Sequence, residues 1–84
     1  MLFRSDTLGW IYLKKNLPDT AIEIFKDLVQ KVPNQSTFRY HLGIALSQKG
    51  DKTRAIKELQ EALKNNPASE EKQKIQELLA KLNS

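Results

Sequence analysis

The fold follows from two stretches of sequence: residues 8–33 read LGWIYLKKNLPDTAIEIFKDLVQKVP, and residues 42–67 read LGIALSQKGDKTRAIKELQEALKNNP. Corresponding residues of the two stretches are 34 positions apart: Leu8-Gly9 and Leu42-Gly43, Ala21-Ile22 and Ala55-Ile56, and Pro33 and Pro67. Glycine and proline each occur only three times in the chain. Agreement of these landmarks at one offset therefore indicates an internal duplication.

Both copies have the spacing of amphipathic helices. Apolar residues recur every three or four positions, which places their side chains on one stripe of a helix. Pro18 suits a first helical turn, Gly50 a left-handed helix end, and Asp51 a helix cap. The pattern predicts five helices, at residues 3–16, 18–31, 35–49, 52–65 and 69–82.

The fifth predicted helix has one apolar side and a polar back. Its apolar residues are Ile75, Leu78, Leu79 and Leu82. At its start, Ser69 supplies a hydroxyl, while Glu70 and Glu71 supply acids that favour a helix N-terminus. We therefore expect this helix to cover the end of a helix stack.

The composition is that of one small folded domain. The chain has 84 residues, of which 39% are hydrophobic and 29% charged, too apolar for a disordered segment. The absence of cysteine excludes disulfides and cysteine-based metal or redox sites. No apolar run approaches the roughly 20 residues of a membrane helix, so we expect no membrane insertion. A complete chain without a signal peptide would be expected in the cytoplasm.

No set of residues in the sequence has the pattern of a catalytic site. His41 is the only histidine, it lies within a predicted helix, and no cysteine is present to pair with it. One histidine with scattered carboxylates gives no metal-ligand spacing, and the single glycines form no phosphate loop. The sequence therefore predicts a protein that is not an enzyme and needs no cofactor or metal, with His41 in a helix-surface or packing role.

Basic residues are mildly enriched in the second copy. Residues 35–68 hold six basic and three acidic residues, against five and four in residues 1–34. Several acids stand four positions from a base, the spacing of weak helix pairs: Asp27–Lys31, Arg54–Glu58, Lys57–Glu61 and Glu77–Lys81. A solvated charged surface explains this pattern, so nucleic acid is not the expected partner. Attraction of RNA or an anionic surface to the second copy stays as an alternative.

The landmark residues resemble the tetratricopeptide repeat family, whose repeating unit is a pair of antiparallel helices of about 34 residues in all. The first copy matches at Leu8, Gly9, Tyr12, Ala21, Phe25 and Pro33, and the second at Leu42, Gly43, Ala55, Leu59, Ala62 and Pro67. The chain departs from the family pattern at Ser5, Leu28, Arg39 and Leu46. The resemblance implies an all-α, right-handed solenoid in a single domain of residues 1–84. It would consist of repeats at 2–34 and 36–68 and a capping helix at 69–83.

The resemblance also implies a scaffold for protein–protein interaction, with a concave face lined by the first helix of each repeat. Its groove positions here would be Phe3, Asp6, Trp10, Leu13, Lys14, Thr37, Tyr40, Ile44, Ser47 and Gln48. Aromatic anchors in a groove often contribute most of an interface's affinity. We expect a peptide or protein partner with an apolar anchor and, because Asp6 lies nearby, a basic or polar flank.

The apolar first helix leaves two further interpretations open. Two repeats are fewer than the three or so usually needed for independent stability. The chain could therefore be the C-terminal part of a longer repeat array, with upstream repeats covering Trp10 and Phe3. Alternatively, two copies could associate as a homodimer through the first helix and bury the same residues.

Overall fold

The computed structural model describes the backbone of residues 2–84 and the side chains from Asp6 onward. Within residues 2–84 the chain forms five helices and no strand: α1 (Leu2–Lys14), α2 (Pro18–Lys31), α3 (Ser36–Lys49), α4 (Lys52–Lys64) and α5 (Ser69–Asn83). Every helix boundary lies within two residues of the bound predicted from the apolar period. The predicted all-α fold is confirmed.

The helices pack as two hairpins with a fifth helix against the second. Helix α1 packs on α2, α3 packs on α4, and α2 also lies against α3, which joins the hairpins. Helix α5 packs on α4 and touches α3. The first helices also contact one another, α1 with α3 and α3 with α5, whereas α2 and α4 make no contact within residues 2–84. The stack therefore curves, with α1, α3 and α5 on its inner side.

The core consists of two clusters of buried residues, both of which Leu82 contacts, and its packing repeats with the sequence. Phe25, Leu28, Leu59 and Ile75 are its largest fully buried side chains. Phe25 in α2 and Leu59 in α4 are equivalent under the sequence repeat and fill corresponding positions beside α1 and α3. Ala21 and Ala55, a second equivalent pair, are both completely buried, as small residues at close helix crossings must be. The equivalence of the two copies is thus visible in their packing.

Most helix ends form as the sequence predicts. Pro18 begins α2, Gly50 ends α3 with a left-handed φ of 93°, and the Asp51 side chain accepts a hydrogen bond from the Arg54 amide at 3.3 Å. The expected hydroxyl cap at Ser69 is wrong. Ala68 is the N-cap residue of α5, and Ser69 is already helical, so its side chain makes no capping hydrogen bond.

Candidate interaction groove

The inner side of the stack carries two adjoining cavities between α1, α3 and α5. The first, of about 370 Å³, lies between Trp10, Tyr40, His41 and the first turns of α5. The second, of about 270 Å³, continues between α3 and α5 and shares Tyr40 and Lys74 with the first. We call this surface the inner groove, and its lining comprises Trp10, Tyr40, His41, Ile44, Ala68, Glu70, Glu71, Lys74, Glu77, Leu78 and Lys81.

His41 is the centre of the aromatic part of the inner groove. Its Nδ1 lies 2.6 Å from an Asp6 carboxylate oxygen, a hydrogen bond that ties α3 to α1. The imidazole centroid lies 4.9 Å from the Trp10 ring, 5.5 Å from Phe25 and 5.6 Å from Tyr40. All three ring pairs are tilted, a geometry that favours aromatic packing. His41 therefore packs against both Trp10 and Tyr40 in the groove lining.

Further polar contacts hold the three inner helices together. The hydroxyls of Ser36 and Thr37, in the first turn of α3, donate to the two oxygens of Glu71 at 3.1 and 2.9 Å. Because Glu71 lies in the first turn of α5, these bonds fix the start of α5 against α3. At the other end of α3, the Gln48 amide donates to the Leu13 carbonyl at 3.2 Å. Each pair of neighbouring inner helices is thus joined by side-chain hydrogen bonds.

The phenol of Tyr40 is held in its neutral form. Burial raises the pKa of Tyr40 above its usual value of 10.0, and the negative charges of Glu71 and Glu77 raise it further. A neutral phenol can both donate and accept hydrogen bonds. Tyr40 therefore offers the groove an apolar ring and a polar group that stays uncharged at neutral pH.

A family model described as tetratricopeptide repeat matches residues 7–70, which is more than half of the chain. The chain belongs to the tetratricopeptide repeat family. The resemblance noted from the landmark residues is therefore confirmed. A comparison with curated proteins finds no match to the sequence. Repeats of this family generally mediate protein–protein interaction and typically serve as non-catalytic scaffolds.

The tetratricopeptide repeat fold brings three of the expected groove residues together. Trp10, Tyr40 and Ile44 line the inner groove, and the Trp10 side chain is 38% exposed. Asp6 lies beside them, but its carboxylate is engaged by His41. The first of the expected residues, Phe3, lies outside the described side chains. The groove's apolar centre is therefore formed by one residue of α1 and two of α3.

Other expected groove residues of this repeat protein have different surroundings. Leu13 is only 6% exposed and belongs to the core, because the hairpin closes over it. Gln48 is exposed, but its amide is used in the hydrogen bond to α1, and Thr37 uses its hydroxyl on Glu71. Lys14 is exposed and Ser47 half-buried, and neither lines the two cavities.

Sequence reasoning missed the groove residues that α5 contributes. Lys74, Leu78 and Lys81 face Tyr40 and Ile44 across the second cavity. From the sequence, α5 was expected only to cover the stack, although its apolar residues have the spacing of a first repeat helix. Treating α5 as a third inner helix of the tetratricopeptide repeat would have identified these positions. The sequence predicts only a helix-surface or packing role for His41, whereas His41 lines the groove and packs against Trp10 and Tyr40.

Most basic residues of the second copy are paired with acids of the same chain. Four of the six basic side chains in residues 35–68 form ion pairs: Arg39, Lys49, Arg54 and Lys64. Of the expected pairs four positions apart, Asp27 and Lys31 meet at 2.9 Å. The other three do not form within the described side chains, because other neighbours are closer: Glu58 binds Arg39 at 3.0 Å, Glu61 binds Lys64 at 3.5 Å, and Glu77 accepts from Gln73 at 3.4 Å.

Membrane-spanning and metal-clustering features are absent from the part of the chain that the structure describes. No helix within residues 2–84 has the length and apolarity needed to cross a membrane. Among the described side chains, no three potential metal-ligating groups come together. The lining of the inner groove consists of aromatic, apolar and charged residues.

Proposed function

We propose that this tetratricopeptide repeat protein is a non-catalytic interaction module that binds a peptide segment in the inner groove. The repeats would comprise residues 2–34 and 36–68, with the capping helix at 69–83 supplying one wall. The observation that carries the proposal is Trp10, a large aromatic residue that is 38% exposed beside Tyr40. An aromatic residue that is only partly covered in a concave surface is a typical anchor for a partner side chain.

The groove favours a partner with a large apolar side chain at its centre. The second cavity has an apolar surface, formed by Tyr40 and Ile44 of α3 and by Leu78 of α5. Hydrogen bonds already hold α1, α3 and α5 in place, so little ordering of these helices would be needed on binding. Such preorganisation raises affinity because less entropy is lost.

An acidic flank suits the second cavity better than the basic or polar flank that Asp6 suggests. One oxygen of the Asp6 carboxylate is already hydrogen-bonded to His41, so this group is less available to a partner. Lys74 and Lys81 are exposed along the second cavity, and neither forms an ion pair among the described side chains. The second cavity is lined by these two lysines and one acid, Glu77, which accepts a hydrogen bond from Gln73. We therefore propose an apolar anchor with an Asp or Glu next to it at the second cavity, where its carboxylate would pair with the lysines.

The absence of a catalytic role is part of the proposal. The imidazole of His41, which is the chain's only histidine, packs among three aromatic rings and bonds to Asp6. No serine hydroxyl is among the side chains that line the inner groove. The groove therefore has the features of a binding surface rather than those of a nucleophilic site.

Peptide selection followed by calorimetry tests the proposal. A display library of random short peptides would be selected against the full chain, and enriched sequences would be synthesised and titrated. We expect enrichment of a large apolar residue next to Asp or Glu. Trp10→Ala and Tyr40→Ala should each weaken binding roughly 30-fold, the equivalent of about 2 kcal/mol at an anchor.

Matched surface variants provide the controls for this experiment. Leu17→Ala changes an apolar side chain that is 47% exposed outside the groove, and it should leave the affinity unchanged. Lys74→Ala should weaken binding of acidic peptides, whereas Lys52→Ala, at an exposed lysine on α4, should not. Binding that is insensitive to both Trp10→Ala and Tyr40→Ala would refute the groove assignment.

A further inference from the structure

Helix α1 carries a second exposed apolar face, separate from the inner groove. Leu8 and Ile11 lie on it, one helical turn apart, with 45% and 43% of their surface exposed. Their counterparts in the second copy are Leu42 and Ala45, which are 4% and 0% exposed. Equivalent positions of the two hairpins thus have opposite environments. The difference identifies a surface that is covered in the second hairpin and open in the first.

The second hairpin shows what covers this kind of face. Helix α2 packs against α3, and the buried core cluster that includes Leu42 and Ala45 also contains Ile22, Phe25 and Leu28 of α2. At one edge of the contact, Asp19 in the first turn of α2 pairs with Lys49 at 2.5 Å. The covering element is therefore an amphipathic helix with an acidic residue in its first turn.

Helix α1 presents the same features without the covering helix. Lys15 is the counterpart of Lys49 in the first copy, and it is exposed with no ion-pair partner among the described side chains. Ile11 replaces the smaller Ala45, so a helix approaching α1 meets a larger side chain at this point. A matching helix must therefore be smaller than α2 at the position opposite Ile11.

We propose that the face formed by Leu8, Ile11 and Lys15 binds an amphipathic α-helix of another polypeptide. That helix has a stripe of apolar residues, a small one such as alanine opposite Ile11, and an Asp or Glu in its first turn that pairs with Lys15. This outer face points away from the groove proposed above, so both surfaces can be occupied together. The interaction goes beyond peptide binding in the inner groove.

Helix α1 of a second copy does not supply the complementary charge. Asp6 is the only acidic residue of α1, and it is engaged by His41 on the groove side. Pairing α1 with α1 of another copy would bring basic residues such as Lys14 and Lys15 to one interface without an acid between them. The exposed residues of α5 offer no apolar alternative, since they are mainly lysine, glutamine and glutamate.

A synthetic helix with the sequence of α2 is the probe for the test. It consists of residues 17–34 with a lactam bond between the side chains of Asp27 and Lys31, which lie 2.9 Å apart and are exposed, so the bond would hold the helix without covering its apolar stripe. The peptide would be titrated into the full-length protein, and amide shifts followed by NMR. We expect saturable shifts around Leu8, Ile11 and Lys15.

Variants of the outer face test whether the peptide binds at that face and not elsewhere. Leu8→Asp should weaken binding at least tenfold, whereas Trp10→Ala in the inner groove should not change it. A peptide with Ile22→Ala and one with Phe25→Ala would test the need for a small residue opposite Ile11, and one of them should bind more tightly. Lys15→Glu should weaken binding, and a peptide carrying Asp19→Lys should restore it.

Three results would overturn the proposal. The peptides could fail to bind, or their shifts could centre on Leu42 and Ala45, which would mean that they displace α2 instead. Sedimentation could also reveal a dimer of the protein that Leu8→Asp dissociates, which would assign the outer face to a second copy. Loss of inner-groove binding would leave the outer-face shifts unaffected, so the two proposals fail independently.

Discussion

Two glycines set how closely the helices of each hairpin approach. A Cβ atom on Gly9 would lie 2.6 Å from ring carbons of Phe25, and one on Gly43 would lie 2.7 Å from Leu59. Both partners are completely buried, so neither can move aside without disturbing the core. Glycine in a helix lowers helix propensity by about 1 kcal/mol relative to alanine, and here the close helix contact offsets that loss.

Gly43→Ala tests this contact directly. We expect destabilisation, because overpacking costs about 1–3 kcal/mol while the gain in helix propensity is only about 1 kcal/mol. Chemical denaturation would measure the free energy of unfolding. The double variant with Leu59→Ala should lose less free energy of unfolding than the two single variants lose together, because the shorter side chain at position 59 leaves space for the new Cβ atom at position 43. A stabilised Gly43→Ala protein would show that the helices separate easily.

At the scale of the helix, the two hairpins differ in how their second helices begin. Asp51 is the N-cap residue of α4, and its side chain accepts a hydrogen bond from the Arg54 amide. Its counterpart in the first hairpin is Leu17, the N-cap residue of α2, which makes no side-chain capping bond. Helix α2 begins instead with Pro18, whose ring already has a helical φ and whose missing amide hydrogen needs no partner.

Asp51→Ala is therefore expected to weaken the start of α4. Loss of the side-chain cap should reduce the free energy of unfolding by about 0.5–2 kcal/mol, as measured by denaturation. Asp51→Asn is the matched control, because asparagine keeps an oxygen that can accept the same hydrogen bond. Equal losses in both variants would attribute the effect to charge, such as the Arg54 pair at 3.8 Å, rather than to capping.

At the scale of the whole molecule, α5 completes a core that two hairpins alone leave open. Ile75 is the one residue of α5 that is completely buried, and it belongs to a cluster with Leu59 and Ala62 of α4. Leu78, Leu79 and Leu82 pack around this cluster while remaining partly exposed. A chain of this size buries only about two-thirds of its unfolded surface, so each such contact is a large share of its stability.

Ile75→Ala should accordingly destabilise the whole domain. We expect a loss of about 2–5 kcal/mol, because truncation leaves a cavity between α4 and α5. Thermal and chemical unfolding would measure it, and Gln76→Ala, at the exposed neighbouring position, should change stability by less than about 0.5 kcal/mol. If the two variants were equally stable, α5 would contribute little to folding.

The sequence alone predicted the elements and their repetition. Apolar spacing located all five helices, and the constant offset between landmarks predicted the corresponding surroundings of Gly9 and Gly43. Pro18, Gly50 and Asp51 marked helix ends correctly. These features depend on residues within one or two helical turns, or on a repeat that is visible as an offset, so they can be worked out without knowing how the helices cross.

The tertiary structure decided which side chains are available to contact a partner. Asp6 and His41 are far apart in the chain, and only the packing of α1 against α3 brings them together, so that the carboxylate expected to face a partner is hydrogen-bonded to His41 instead. Leu13 became part of the core, whereas Lys74 and Lys81 of α5 joined Tyr40 in the groove. Helical periodicity reports which residues share a face, but contacts between faces depend on the angles and distances at which helices pack, and these arise only when the core closes.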